Sequence, residues 1–356
     1  MNGPSLLLLP LVGLMAACAS ISASSDPIVA GAGATDHGAV GAGEGPAWHQ
    51  GYLYCTDGKH VNRFDPRTGK SSVFLDHCGS PNGLYFDTEA RLILCESDGR
   101  RLSRMEKSGK LAALTDNYEG MRYNSPNDVT MDSRGRIYFT DPRYGSRDTM
   151  ELKDKSGHLV EGVYRVDAPG KVTRVLTQPE VDRPNGLLVS PGDKYLYICD
   201  NDNNRHGGAR LLTRFDLKAD GTVDGASRKV IFDWKQGRGP DGMKMDSAGR
   251  IYLQAGVNKA NEFETDEFKA GCYILSPEGQ LIRFIPTWPD EATNCAFGGD
   301  DFKTLYLTSG GHLWSVPLTT RGWKVNTLFV TKGEAPSATT NEYGVPFEVN
   351  SVQFLY

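Results

Sequence analysis

NSPNDVTMDSRGRIYFTDP, from Asn124 to Pro142, holds a bend, a strand, a tight turn and a second strand. Pro126 fixes its own φ, and Asn127 tolerates the unusual backbone angles of a sharp bend. Val129–Asp132 then alternates apolar and polar side chains with the period of two of a half-buried strand. Ser133-Arg134-Gly135 supplies the turn, Arg136–Thr140 alternates again, and Asp141-Pro142 closes the unit. The stretch predicts a β-hairpin.

The chain repeats this unit. Six segments begin at Glu44-Gly45-Pro46, Pro81-Asn82-Gly83, Pro126-Asn127-Asp128, Pro184-Asn185-Gly186, Pro240-Asp241-Gly242 and Thr293-Asn294-Cys295. Each runs into a second strand: YLYCTD, RLILCES, RIYFTDP, YLYICDN, RIYLQAG and TLYLTSG. Third and fourth strands follow in most, as in Asn62–Asp65 with Ser71–Leu75 and Val163–Val166 with Val172–Leu176. Taking Glu44, Asn82, Asn127, Asn185, Asp241 and Asn294 as anchors, the spacings are 38, 45, 58, 56 and 53 residues. Four strands in periods of this length predict an all-β fold, a six-bladed β-propeller with four-stranded antiparallel blades. It is expected to span residues 30–330, with 331–356 an unassigned tail. Two segments compete to close the ring: Lys324–Val330 as the last outer strand, or Ile28–Ala30 from the N-terminus.

Composition agrees. With 41 Gly, 19 Pro and 15 Tyr in 356 residues and 39% hydrophobic content, the chain is turn-rich yet able to bury a core. A formal charge of −5 without any basic run argues against a nucleic-acid partner. Residues 6–17 (LLLLPLVGLMAA) are too short to span a bilayer and stand where a signal peptide has its apolar core. Met15-Ala16-Ala17 before Cys18 resembles the bacterial lipobox. The expectation is an exported protein, periplasmic and anchored to a membrane by lipid on Cys18, or secreted. A simple cleavable signal ending near Ala23 is the alternative. Cys55, Cys95 and Cys199 stand at one strand position in three repeats, where disulfide reach is rare, so buried free thiols are expected.

A propeller gathers equivalent positions around one axis, so the six anchors should ring one mouth of the central channel. Turn chemistry alone accounts for an oxygen-bearing side chain at any one of them. Six converging on one mouth make a site. Two carboxylates with several amides suit a hard divalent cation, Ca²⁺ first, with Zn²⁺, Mn²⁺ and Mg²⁺ as alternatives. Such an ion would polarise a carbonyl and lower the pKa of bound water. The sequence has no His-Glu-x-x-His pair, nucleophile elbow or P-loop lysine. Asp200–Asn204 lacks the spaced Gly and closing Glu of an EF-hand and reads as a polar turn. The insertions Arg143–Gly162 and Gln254–Gly271 either cover one face and shape the channel mouth or are plain surface decoration.

At its anchors the chain resembles the SMP-30/gluconolactonase family of six-bladed propellers, often described as lactonases. Glu44-Gly45-Pro46, Ser125-Pro126-Asn127-Asp128, Arg183-Pro184-Asn185-Gly186 and Gly239-Pro240-Asp241-Gly242 carry the resemblance, in order, over about residues 40–318. Tyr118-Glu119-Gly120 and YFTDPRYG (Tyr138–Gly145) are similar to its bacterial branch. The resemblance implies that Glu44, Asn185 and Asp241 bind the cation and that Asp241 doubles as general base. Asn127 would orient substrate or meet the ion through water, and Asn82 would line the mouth. A substrate-contacting arginine is replaced by Ser125, leaving Arg122 as the nearest substitute. The implied activity is metal-dependent hydrolysis of a small-molecule lactone, with no protein partner. The rivals are phosphotriester or other ester cleavage on the same ring, and a non-catalytic propeller that binds a sugar or peptide.

Overall fold

The computed structural model describes residues 25–324 and the short strands Leu328–Val330, Thr339–Thr340, Pro346–Phe347 and Val352–Phe354. The apolar N-terminal run, Cys18 and most of the 331–356 tail lie outside the described residues. Six four-stranded antiparallel sheets form the blades of a propeller. Blade one runs outward from Glu44–His49 to Lys70–Leu75, blade two from Pro81–Phe86 to Leu111–Thr115, and blade three from Val129–Met131 to Lys171–Thr177. Blade four runs from Pro184–Val189 to Val223–Asp233, and blade five from Met243–Met245 to Leu281–Pro286. The described residues contain no α-helix, only a 3₁₀ turn at Pro191–Asp193.

The hairpin that opened the sequence reading forms as Val129–Met131 paired with Ile137–Asp141. Its turn is held by Asp132, whose carboxylate accepts the Arg134 and Arg136 backbone N–H groups, the Arg136 guanidinium at 2.6 Å and the Tyr138 hydroxyl at 3.1 Å. Blade five repeats the device with Asp246, Arg250 and Tyr252. Satisfying a buried carboxylate on all sides in this way is what makes the burial of charge tolerable. Apolar residues of facing sheets fill each space between neighbours. Leu53, Tyr306 and Ala296 sit between blades six and one, and Tyr138, Leu187 and Ile198 between blades three and four.

Blade six consists of Ala292–Gly298, Thr304–Ser309, His312–Pro317 and, outermost, the N-terminal strand Thr35–Ala39. Thr35 pairs with Ser315 and Asp36 with Trp314, while the Asp36 carboxylate meets His312 at 3.1 Å. The N-terminus therefore closes the ring, through 35–39 and not 28–30. Ile28 makes only an isolated bridge to Leu318. Of the competing candidate Lys324–Val330, the strand Leu328–Val330 pairs instead with Val352–Phe354. All six described cysteines are free and buried, as expected for Cys55, Cys95 and Cys199. Cys55, Cys95 and Cys199 each stand opposite the bulge of the innermost strand of their blade.

Candidate functional site

Each innermost strand carries a bulge at its anchor. In blade four, Pro184 pairs with Asp200 and Leu187 with Ile198, so Asn185 and Gly186 together oppose Cys199. Blade two shows the same shift at Asn82-Gly83, and blade one shows it at Gly45-Pro46, directly after Glu44. In blade five the Asp241 amide donates to Gln254 O and the Gln254 amide to Gly242 O, again two residues against one. An extra residue re-aims the bulged side chain away from its sheet, here toward the axis.

The residue after each anchor explains the recurring Gly. The Gly83 amide donates to Asn127 O at 2.7 Å and the Gly186 amide to Asp241 O at 2.8 Å, so backbone meets backbone between blades. A Cβ on Gly186 would lie 2.3 Å from that carbonyl oxygen, and one on Gly45 would lie 2.0 Å from Asn82 O. The Gly242 amide donates to Thr293 O at 2.7 Å. Thr293 therefore holds the sixth anchor position, and Asn294 stands one place on, level with Asp128. This corrects the choice of Asn294, which the sequence invited because an oxygen-bearing amide seemed the natural match.

Carboxylates at the ends of the second strands brace the bends. Asp141 accepts the Asn124 and Ser125 amides at 2.8 and 2.7 Å, three and two residues before Asn127. Asp200 does the same for Asp182 and Arg183 ahead of Asn185. Burial pushes Asp141 up to about 7 and Asp200 up to about 6, partly offset by those amides.

At the mouth itself, Glu44, Asp128 and Asp241 lie within electrostatic range of one another. Burial raises the Glu44 carboxyl to about 7, with Asp128's charge adding and the Gly45 amide and Asn294 side chain pulling down. Burial and then the charge of Glu44 hold Asp241 well above the usual carboxylate range, against the opposing pull of Arg238. The Asn294 amide reaches Glu44 at 3.4 Å and Asp128 at 3.5 Å. The amide oxygens of Asn185 and Asn82 are buried and accept no hydrogen bond. Like charges crowded beside orphaned oxygens are what a hard cation would relieve. Among the described residues no three His, Cys, Asp or Glu side chains stand positioned to hold an ion alone, so the amides are needed to complete a donor set.

Of the residues named from sequence, Asn82, Asn127, Asn185 and Asp241 occupy equivalent bulges, and Glu44 stands directly before the bulge of blade one. Arg122 does not join them. It lies on the exposed hairpin Asn117–Tyr118/Met121–Arg122, its guanidinium bound by Glu151 at 2.7 Å. Two further residues stand at the mouth without a role assigned from sequence. Asp128 stands where four blades have Gly, a departure visible in the sequence. Tyr144, from the insertion in blade three, accepts from the Asn185 amide at 3.0 Å, and no local pattern signals that contact. A cavity of about 310 Å³ at the opposite channel mouth is walled by Trp48, Phe86, Phe297 and Trp323 and includes none of the anchors.

Residues 42–311 match the family described as SMP-30/Gluconolactonase/LRE-like region. The chain is 27% identical over 301 residues to a gluconolactonase of Zymomonas mobilis, covering 78% of this chain and 79% of that protein. It is 29% identical over 283 residues to a pentonolactonase of Haloferax volcanii, covering 76% and 81%. The structure of a gluconolactonase from Xanthomonas campestris superposes with a TM-score of 0.65 at 29% identity, over 84% of this chain and 97% of that one.

Proposed function

The chain belongs to the SMP-30/gluconolactonase family and is a lactone-hydrolysing enzyme, and from that premise we propose that it works with a divalent cation held by Glu44, Asn185 and Asp241 at the anchor mouth. One observation carries the reading: two carboxylates and a buried, unpartnered amide oxygen, from blades one, five and four, converge on one channel mouth. Ca²⁺ suits the all-oxygen set best. When bound, the cation supplies Lewis-acid polarisation of the lactone carbonyl. Asp241 takes the proton of the attacking water, and the Asn127 amide orients the lactone and donates to the developing oxyanion. Asn82 lines the mouth. Arg122 stays with Glu151 and has no part in this reading.

Proton release from glucono-1,5-lactone, followed with and without Ca²⁺, Mn²⁺, Zn²⁺ or Mg²⁺, tests it. Chelation should abolish turnover and added cation restore it; undiminished turnover in chelator would overturn the metal reading. A cation joining three blades distant in sequence should also stabilise the ring, by about 2.7 kcal/mol at one hundred times its Kd. The melting temperature should rise with Ca²⁺ and fall on chelation. A melt indifferent to both would count against a bound ion.

We also propose export, on the strength of residues 6–17 and Cys18. Mass spectrometry of protein from its host should find a mature chain beginning at Cys18, with or without lipid, or a few residues beyond. Intact Met1 on soluble cytosolic protein would refute it.

A further inference from the structure

Tyr144 lies in the long connection between Ile137–Asp141 and Gly162–Ala168 of blade three, yet its contacts are with blade four. Its hydroxyl donates to the Asn201 carbonyl at 3.0 Å and accepts from Asn185 Nδ2 at 3.0 Å. The ring packs under the Arg183 guanidinium, 5.4 Å from ring centre to carbon. Arg183 is itself fixed by Glu161 at 3.1 Å, by Asp202 at 2.9 Å and by Asn204. Glu161 also accepts the Arg143 backbone amide at 3.0 Å, next to Tyr144.

A tyrosine hydroxyl has one proton. Because that proton is spent on a backbone carbonyl, the oxygen offers Asn185 only a lone pair, and Asn185 must present its NH₂ group to Tyr144. The amide oxygen is thereby turned the other way, where it is buried without a partner. We propose that Tyr144 is a positioning residue that fixes the flip of the Asn185 amide, so that its oxygen faces the cation. The inference rests on the cation reading above. Without the hydroxyl the amide can rotate by a half-turn and offer a cation NH₂, which cannot ligate.

The test is a double-mutant cycle on cation affinity, measured by calorimetry with Ca²⁺ and Mn²⁺, for the full chain, Tyr144→Phe, Asn185→Ala and the pair. Tyr144→Phe keeps the ring under Arg183 and should keep the cation-free melting temperature. Its affinity should fall about 10-fold or more, the usual scale for losing a ligand's hydrogen-bond partner. In the Asn185→Ala background the same change should do nothing further. Three results would overturn the proposal. Tyr144→Phe within twofold of the parent would refute it and leave the cation reading intact. An equal loss in both backgrounds would show that the hydroxyl does not act through Asn185. A parent chain binding neither cation would remove the cation reading and this inference with it.

Discussion

Replacing Asp241 by Asn is expected to leave a folded ring that hydrolyses lactones at least roughly 10²-fold more slowly, even at saturating cation. The substitution keeps side-chain volume and one oxygen. The bonds that fix the bend are backbone ones, from Asp241 N to Gln254 O and from Gly186 N to Asp241 O at 2.8 Å, and neither depends on the carboxylate. Without the cation, burial and Glu44 already disfavour a charged Asp241, so the neutral amide has no charge to bury there and the cation-free melting temperature should hold or rise. What is lost is the proton acceptor and half of the charge facing the cation. Asn82→Ala, at the equivalent bulge of blade two, should cost much less. A near-parental rate for Asp241→Asn at saturating cation would show that the carboxylate is only a ligand or a bend residue.

Gly186→Ala should be strongly damaging to the ring. Its Cβ would lie 2.3 Å from Asp241 O and 2.8 Å from the Gly242 Cα, both backbone atoms that cannot swing aside. Blades four and five must part at the mouth, breaking the 2.8 Å bond between them. Overpacking of this kind costs roughly 1–3 kcal/mol, and an unyielding neighbour places it at about 3. For a domain of this size the melting temperature should drop by roughly 5–10 °C. Lactone turnover should fall with it, because the Asp241 bend is displaced. Gly33→Ala, which meets nothing within 4 Å, is the matched control and should be neutral. A melt for Gly186→Ala indistinguishable from that control would mean that the blades yield at this contact.

The two kinds of contact differ in how far they could be read from the chain. Bends such as Ser125-Pro126-Asn127 and alternating strands such as Val163–Val166 announce themselves, because proline, glycine and period-two patterning act over a few residues. Copied six times, they make the blade count legible, together with the bulges at Asn82, Asn127, Asn185 and Asp241. Thr35–Ala39 is weakly patterned and finds its partner only at His312–Pro317, so nothing local marks it as a strand of blade six. Asn294 matches the anchors in residue type, but register decides, and register is set by its pairing with Thr308. Arg122 looked well placed by proximity to Asn127 in sequence, yet the hairpin turns it to Glu151. Tyr144 depends on an insertion from one blade reaching the next. Contacts of that kind leave no periodic trace.

Thr35–Ala39 is among the first segments of the ring to be synthesised and the last to be used. Its partner Ser315 follows Thr35 by 280 residues. At the roughly 5–20 residues per second of translation, that interval is on the order of 15–60 s. Throughout it the opening strand has no sheet to join, and the face of blade one that will pack on Tyr306 and Ala296 has no neighbour. A chain released early, before Pro317, could assemble five sheets but never complete the sixth. The closure thus acts as a check on the length of the product, passed only once the ribosome has delivered the third strand of the last blade.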